Sequence, residues 1–273
     1  MDRAMKAAAM RVGIEIDDDG LARITLRRGE AGNAIDLDMA RGLLDAARIC
    51  AREAVRAVLL TGEGKSFCVG GDLREFSRLS GEALEKHLTA VTDALHDALR
   101  TFAAGDAPVV AAVQGAVAGA GIGLAAAADV TFAADNASFT AAYTGIGYSP
   151  DAGVSWFLPR LVGHKRALDL LLTNRRIPAA EAADIGLVSR VVAQDRLAAE
   201  AERTAEALRG GPTAAFGATR RLVAAGLTAD LGPHLDREAR ALAAAAASDA
   251  GREGVAAFLG KRAPDFTRVP PSS

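Results

Sequence analysis

An α/β fold is predicted for this chain by three features of its sequence. Strand patterns alternate with helical patterns from residue 12 to residue 139, helical patterns dominate after residue 150, and 50% of the 273 residues are hydrophobic. A chain of this length can bury a large core without disulfides or metals. With 32 basic against 34 acidic residues, it has neither the net charge of a disordered chain nor the cationic surplus that binds nucleic acid.

The first part of the chain alternates between the two kinds of element. Its first two strands alternate apolar and polar residues, and the acidic turn 17–20 between them predicts a hairpin. A glycine-rich loop over 61–72 follows the third strand and leads into a long amphipathic helix, with apolar residues every three or four positions. The predicted elements are strands over 12–16, 22–26 and 55–60, a helix after Asn33, and a helix from Leu84 to Phe102.

The segment 107–128 carries no charged residue and is long enough to cross a bilayer. It consists mostly of Ala and Gly, which contribute little transfer energy, and Pro108 and Gln114 interrupt it. We therefore predict a strand over 108–113, a glycine turn and an alanine-rich helix that ends before Asp129.

The rest of the chain is predicted to be helical, apart from one short strand near 187–192. Helical patterns continue to about Gly260, and the tail 268–273 has the composition of a loose terminus. No linker rich in Pro and Ser separates this part from the first. The helical part is therefore either a small second domain or an arm that packs on another subunit.

The sequence favours a cytoplasmic protein. Cys50 and Cys68 are too few for a disulfide framework, which is consistent with a reducing compartment. Lys6 and Arg11 interrupt the start of the chain, so no apolar run of signal-peptide length remains. Because no His, Cys, Asp and Glu residues have metal-ligand spacing, no metal is expected.

Two glycine-rich turns, near 70 and near 120, lie where a strand gives way to a helix. Glycine lets backbone N–H groups approach a ligand closely, and the start of a helix adds positive partial charge. Two such N–H groups pointing at one oxygen form an oxyanion hole, in which each donor is worth roughly 2.7–4 kcal/mol. Either turn alone could instead be a plain connector. The run 119–123 lacks the last glycine of a dinucleotide fingerprint, because Leu124 stands there.

Several stretches of the chain form motifs in a fixed order. They are residues 67–73, 108–115, 118–121, 128–129, 186–192 and 253–262. Together they resemble the enoyl-CoA hydratase/isomerase (crotonase) superfamily over nearly the whole chain, from about Val12 to Phe266. The resemblance implies a spiral of ββα units over 1–195 and a helical trimerisation region over 196–273. It also implies a homotrimer or a dimer of trimers, an acyl-CoA thioester as substrate, and no cofactor beyond the coenzyme A of that substrate.

The resemblance also implies roles for particular residues. The backbone N–H groups of Gly71 and Ala120 would hold the thioester carbonyl oxygen. Hydratases of the family use two glutamates, at positions that are Gly123 and Tyr143 here, so efficient hydration is not expected. Asp151 matches members whose only acid/base residue is an aspartate, including epoxyphenylacetyl-CoA isomerase-like enzymes. One carboxylate could take a proton from one carbon of the enolate-forming thioester and return it two carbons away.

Asp151 and His96 leave alternatives open. An Asp after Pro at the start of a helical run is also a good N-cap, so Asp151 could serve the helix alone. His96 stands where chlorobenzoyl-CoA dehalogenase, a relative within the superfamily, carries its water-activating histidine. In that second hypothesis Asp151 attacks carbon and His96 prepares the water that hydrolyses the ester. His96 could instead be a partly exposed helix histidine, and the whole chain could be a scaffold that binds acyl-CoA without chemistry.

Other residues match substrate-binding positions of the family. They are Arg28, Cys68, Val69, Gly70, Asp72, Leu73, Gly119, Tyr143, Phe258 and Lys261. Phe258 and Lys261 match positions that reach the CoA adenine of a neighbouring subunit in relatives. Arg28, like Arg27 and Lys65, could meet the phosphates of coenzyme A, although single basic residues are usually solvated surface.

Overall fold

A six-stranded sheet forms the centre of the computed structural model, which describes residues 11–268. The strands of this sheet are β1 (Val12–Ile16), β2 (Leu21–Leu26), β3 (Ala57–Gly62), β4 (Val109–Val113), β6 (Val130–Ala134) and β9 (Arg190–Val192). They lie in the order β1-β2-β3-β4-β6-β9. β1 and β2 are antiparallel, with Val12 opposite Leu26, and the other neighbours are parallel. The predicted hairpin is confirmed, while the strand predicted over 55–60 begins two residues later, at Ala57.

A second, three-stranded sheet was not predicted from the sequence. It consists of β5 (Ala116–Ala118), β7 (Ser138–Thr140) and β8 (Ile177–Pro178). Strands of two or three residues are too short to show an alternating pattern. A bridge between Val117 and Cys68 joins this sheet to the first glycine turn.

The helices surround these sheets. They are α1 (Leu37–Arg52), α2 (Leu73–Phe76), α3 (Gly81–Ala104), α4 (Ala120–Ala127), α5 (Val154–Val162), α6 (His164–Thr173), α7 (Ala179–Asp184), α8 (Leu197–Arg209), α9 (Thr213–Gly226), α10 (Leu231–Ala247) and α11 (Asp249–Leu259). The long amphipathic helix of the prediction is α3. The predicted tail 268–273 lies, apart from Arg268, outside the described residues.

The central sheet is covered on both faces, as parallel sheets usually are. Val58 and Leu60 of β3 belong to the core that α1 and α3 close, whereas Leu59 belongs to a second core with Leu197 and Ala201 of α8. Because successive side chains of a strand point to opposite faces, one helix layer lies on each side. Helix α8, which follows the predicted boundary at residue 195, covers one face of this sheet, and the division into two regions stays a prediction.

Within residues 11–268, no helix is long and apolar enough to span a membrane. The uncharged segment 107–128 contains β4 and α4, which confirm the predicted strand and helix, and between them the strand β5, which was not predicted. Helices α9, α10 and α11 expose several large apolar side chains, as α5 and α6 also do. The most exposed on α9, α10 and α11 are Val223, Leu231, Leu242, Val255, Phe258 and Leu259.

Candidate active site

The first glycine turn is fixed by the residue Ile35, which lies just before α1. Ile35 donates its N–H to the Gly70 carbonyl oxygen at 2.7 Å and accepts the Asp72 N–H at 2.9 Å. The Gly70 carbonyl and the Gly71 N–H belong to one trans peptide group and point in opposite directions. The Gly71 N–H therefore points away from Ile35. It donates to no acceptor within residues 11–268.

Glycine is required at this turn for steric reasons. Gly70 has φ +92°, a conformation that side chains disfavour. A Cβ on Gly71 would lie 2.6 Å from a ring carbon of Phe76. Asp72, which follows, is buried and accepts hydrogen bonds from the N–H groups of Arg74 and Glu75, so it is the N-cap of α2.

The second glycine turn opens α4. Gly119 has φ +51° and donates its N–H to Thr140 O at 3.2 Å, while its own carbonyl accepts the Ile122 N–H at 2.9 Å. Ala120 is the first residue of the helix, where an N–H has no intrahelical acceptor. The described part of the chain offers the Ala120 N–H no other acceptor either.

The two turns lie against each other, backbone to backbone. Ala118 donates its N–H to Cys68 O at 2.9 Å. A Cβ on Gly70 would lie 3.5 Å from the Ala120 nitrogen, and one on Gly121 would lie 2.3 Å from Cys68 O. The two N–H groups without acceptors, 49 residues apart in sequence (120 − 71), therefore belong to one site.

Asp151 lies beside these turns and is held by Tyr143. The Tyr143 phenol donates a 2.6 Å hydrogen bond to Asp151 Oδ1, and the Oδ2 atom accepts none from residues 11–268. Tyr143 lies next to the second turn, because a Cβ on Gly119 would be 3.8 Å from its Cζ. Burial, together with the charge of Asp151, raises the pKa of the Tyr143 phenol well above its usual range, so the phenol stays a donor.

The buried thiol of Cys68 lies in the same electrostatic environment. Burial raises its pKa to about 12, and the negative charge of Asp151 adds to the shift, although the Gly70 N–H opposes it. A thiol with such a pKa is almost fully protonated at neutral pH and is a poor nucleophile. Cys68 therefore contributes shape to the site rather than reactivity.

The alternative that Asp151 caps a helix is wrong. The N-cap of α5 is Gly153, at φ +72°, and no side chain accepts a hydrogen bond there. Asp151 supports the turn only through its backbone, since its carbonyl accepts the Val154 N–H at 2.9 Å. Its carboxylate therefore does not cap the helix and can take part in chemistry.

Gly123 leaves room for the turn that carries Asp151. A Cβ on Gly123 would lie 2.3 Å from the Ala152 carbonyl oxygen and 2.7 Å from the Ala152 Cβ. Ala152 itself is fully buried and has φ +48°. No side chain, a glutamate included, can be added at 123 unless this turn moves.

His96 on α3 reaches the same turn. Its Nε2 atom accepts the Ala152 N–H at 3.1 Å, and its side chain is half-buried. The structure thus brings His96 and Asp151 together, as the hydrolytic hypothesis requires, but the ring nitrogen nearest the site is already an acceptor.

The remaining predicted site residues fall into three groups. Val69 and Leu73 are exposed beside the first turn. Arg28 is mostly buried and forms ion pairs with Asp72 at 2.6 Å and Asp36 at 3.2 Å, which leaves its contact with CoA phosphates a prediction. Phe258 lies on α11 with its side chain 83% exposed and Lys261 follows that helix, so their contact with coenzyme A stays a prediction.

Sequence reasoning missed the residues that hold the first turn. Asn33 is fully buried at φ +55°, and its side-chain amide contacts the carbonyl oxygens of Glu63, Ser66 and Phe67. These contacts fix the glycine-rich loop that leads to the turn. The only signal of these contacts in the sequence is an Asn just before a helical pattern, and that pattern predicts no more than the start of a helix.

Comparisons with known proteins agree on the family. The chain is 43% identical to a Rhodobacter capsulatus protein named "Probable enoyl-CoA hydratase" over 91% of this chain and 95% of that one. It is 34% identical to the 1,2-epoxyphenylacetyl-CoA isomerase of Escherichia coli, over 92% and 96% of the two chains. The crystal structure of an enoyl-CoA hydratase from Polaromonas sp. superposes with a TM-score of 0.87 at 33% identity, over 93% of this chain and 98% of that one. The profile of the enoyl-CoA hydratase/isomerase family matches residues 17–269, and the chain therefore belongs to this family of acyl-CoA enzymes.

Proposed function

We propose that the protein moves the double bond of an enoyl-CoA by proton transfer through a thioester enolate. The observation that carries this proposal is a pair of N–H groups, on Gly71 and Ala120, that have no acceptor among residues 11–268 and lie together beside the Asp151 carboxylate. A thioester carbonyl oxygen placed between the two N–H groups would receive both hydrogen bonds. The start of α4 adds its positive partial charge at the same place.

The proposed reaction needs only one carboxylate. Asp151 takes a proton from C2 of a 3-enoyl-CoA, and the electron pair of that C–H bond moves into the thioester, forming an enolate whose oxygen the two N–H groups stabilise. The protonated carboxyl then returns the proton to C4 as the double bond forms between C2 and C3. Because the Tyr143 phenol occupies Oδ1, the Oδ2 atom carries the proton.

Isomerisation is favoured over hydration by the space around Gly123. Addition of water across a double bond uses two carboxylates in hydratases of this family. Position 123 cannot hold a side chain next to Ala152, and position 143 carries a phenol that is already a donor. The position of Asp151 favours chemistry over a passive scaffold, because a scaffold needs no carboxylate held beside the two amides.

The first test compares the wild type with Asp151→Asn on a 3-enoyl-CoA, following formation of the conjugated thioester. We expect kcat to fall by at least about 10²-fold, the usual contribution of a general acid/base group. Asp195→Asn, at an exposed position, is the matched control and keeps full turnover. Exchange of the C2 protons of a saturated acyl-CoA with solvent deuterium measures the first step alone, and it should show the same loss. Equal turnover by wild type and Asp151→Asn would remove Asp151 from the mechanism.

We also propose that α9, α10 and α11 pack on other copies of the chain, in a trimer or a dimer of trimers. The large exposed side chains Val223, Leu231, Leu242, Val255, Phe258 and Leu259 support this, because exposed apolar patches often mark an interface. Phe258 and Lys261 would then meet the CoA adenine of the neighbouring subunit. The mass in solution should be a multiple of three chains, and Leu259→Asp should lower it. A monomeric wild type would contradict the proposal.

A further inference from the structure

The peptide group between Asp151 and Ala152 is held at both ends. Its carbonyl, on Asp151, accepts the Val154 N–H at 2.9 Å. Its N–H, on Ala152, is donated to His96 Nε2 at 3.1 Å. Because this group is bonded directly to the Cα of Asp151, its orientation sets the direction in which the Asp151 side chain leaves the backbone.

The conformation around this peptide group is not one that the chain adopts on its own. Ala152 has φ +48°, a region that residues with a side chain rarely occupy, and it is fully buried. Such a conformation persists only where the surroundings impose it. Gly123 packs against one side of Ala152, and His96 binds its N–H on another.

The hydrogen bond also determines the state of the imidazole. A backbone N–H can only donate, so Nε2 of His96 must be the acceptor and the ring proton lies on Nδ1. In that state the lone pair of Nε2 is already used. A base that activates water needs a free lone pair within reach of the water.

We propose that His96 is a positioning residue that holds the Asp151 carboxylate in place through the Ala152 amide. The inference rests on the proposed role of Asp151 as the proton carrier. Tyr143 fixes the carboxylate from its far end, whereas His96 fixes the backbone from which it projects. His96 touches no reacting atom in this scheme, and it does not act as a base.

Loss of the acceptor has a definite consequence. The Ala152 N–H would be left buried without a partner, so the turn would relax toward a conformation in which the N–H reaches water. A displacement of about 1 Å of a reacting group costs on the order of 10²-fold in rate. Binding of the acyl-CoA depends on other contacts and should change little.

The experiment compares three substitutions of histidine. His96→Gln places a carbonyl oxygen near the position of Nε2, His96→Leu removes the acceptor, and His164→Leu makes the same change at an exposed histidine on α6. We expect His96→Leu to lower kcat on a 3-enoyl-CoA by about 10²-fold while KM changes by less than about threefold. His96→Gln should recover most of that loss, and His164→Leu should behave as the wild type. Equal losses in His96→Gln and His96→Leu would overturn the proposal.

A second measurement does not depend on activity. In protein labelled with ¹⁵N in its 4 histidines, the His96 signals are those absent from His96→Gln. We expect Nδ1 to be protonated and Nε2 to be unprotonated at pH 8. A proton on Nε2 would overturn the proposal, even if His96→Leu failed to fold.

The Asp151 and His96 variants distinguish a failure of this proposal from a failure of the proposed function. If Asp151→Asn keeps full turnover, the isomerase mechanism is wrong, whatever the tautomer of His96. If Asp151 is essential and Gln does not substitute for His96, the positioning role is wrong and the isomerase mechanism stands. Hydrolysis of a haloaryl-CoA that is lost equally in His96→Gln and His96→Leu would instead assign His96 as a water-activating base.

Discussion

The two glycine turns present an N–H group to the same place, but they are held there by different means. The first turn depends on charged side chains from a distant segment. Arg28 joins Asp72, the N-cap of α2, to Asp36, the N-cap of α1, with ion pairs of 2.6 Å and 3.2 Å. Ile35, which binds the turn, precedes Asp36 in the sequence and accepts the Asp72 N–H at 2.9 Å.

The second turn depends on glycines, because a side chain would not fit at these positions. A Cβ at Gly121 would meet Cys68 O at 2.3 Å, and one at Gly123 would meet Ala152 O at the same distance. Backbone is packed against backbone here, with no charge involved. We therefore expect the first turn to be destabilised by the loss of a charged side chain, and the second by the addition of one methyl group.

The largest effect is expected from Gly121→Ala. The new methyl group would lie 2.3 Å from a backbone oxygen that cannot rotate away, so both turns must separate. The loss of unfolding free energy should reach the upper end of the roughly 1–3 kcal/mol typical of overpacking, or exceed it. Urea unfolding measures it, and Gly232→Ala on α10, where no atom lies within 4 Å of the new Cβ, is the matched control. Equal stability of Gly121→Ala and the control would refute the close packing of the turns.

A smaller effect is expected from Arg28→Met. Removal of one partner of a buried ion pair typically costs 3–5 kcal/mol, but Asp72 keeps two N–H donors and Arg28 is partly exposed, so we expect about 2 kcal/mol. Since the Gly71 N–H loses part of its support, kcat should fall by about tenfold. Arg203→Met, which removes an exposed ion pair, should change neither quantity. Unchanged kcat in Arg28→Met would mean that Ile35 alone positions the first donor.

The smallest effect is a dependence of stability on acid. Burial alone would raise the pKa of the Asp72 carboxyl, but the Arg28 guanidinium and the N–H groups of Glu75 and Arg74 hold it below its usual value. A carboxyl group whose pKa is lower in the folded than in the unfolded state stabilises the fold fully at any pH above the unfolded pKa. That stabilisation is lost as the pH falls through the folded pKa. The gap in unfolding free energy between wild type and Asp72→Asn should therefore be full at pH 7 and shrink below about pH 4. A gap that is constant with pH would mean that the charge of Asp72 does not hold the turn.

The sequence was sufficient for the features that depend on local pattern. The hairpin of β1 and β2, the amphipathic helix α3 and the division of segment 107–128 were all predicted from periodicity and turn residues. The two glycine turns were recognised from their place between a strand and a helix, and the resemblance assigned their N–H groups. The pattern-based predictions needed only residues close together in the chain, whereas the assignment of the N–H groups needed motifs spread along its whole length.

The remaining features depend on contacts between distant segments. His96 and Ala152 are 56 positions apart, and nothing in the pattern around either one indicates their hydrogen bond. Asp151 looked like a helix cap because Pro precedes it, but two further residues separate it from the start of α5. The short second sheet was missed because its strands acquire their pairing only when the turns meet.

The lack of room at Gly123 bears on any attempt to build a second carboxylate into this site. A glutamate placed at 123 alone would collide with Ala152 before it could act, because the 151–153 turn already fills that position. To hold a second carboxylate there, the loop itself would have to be rebuilt, with several residues replaced together. Adding the glutamate alone should give an enzyme that folds poorly rather than one with a new reaction.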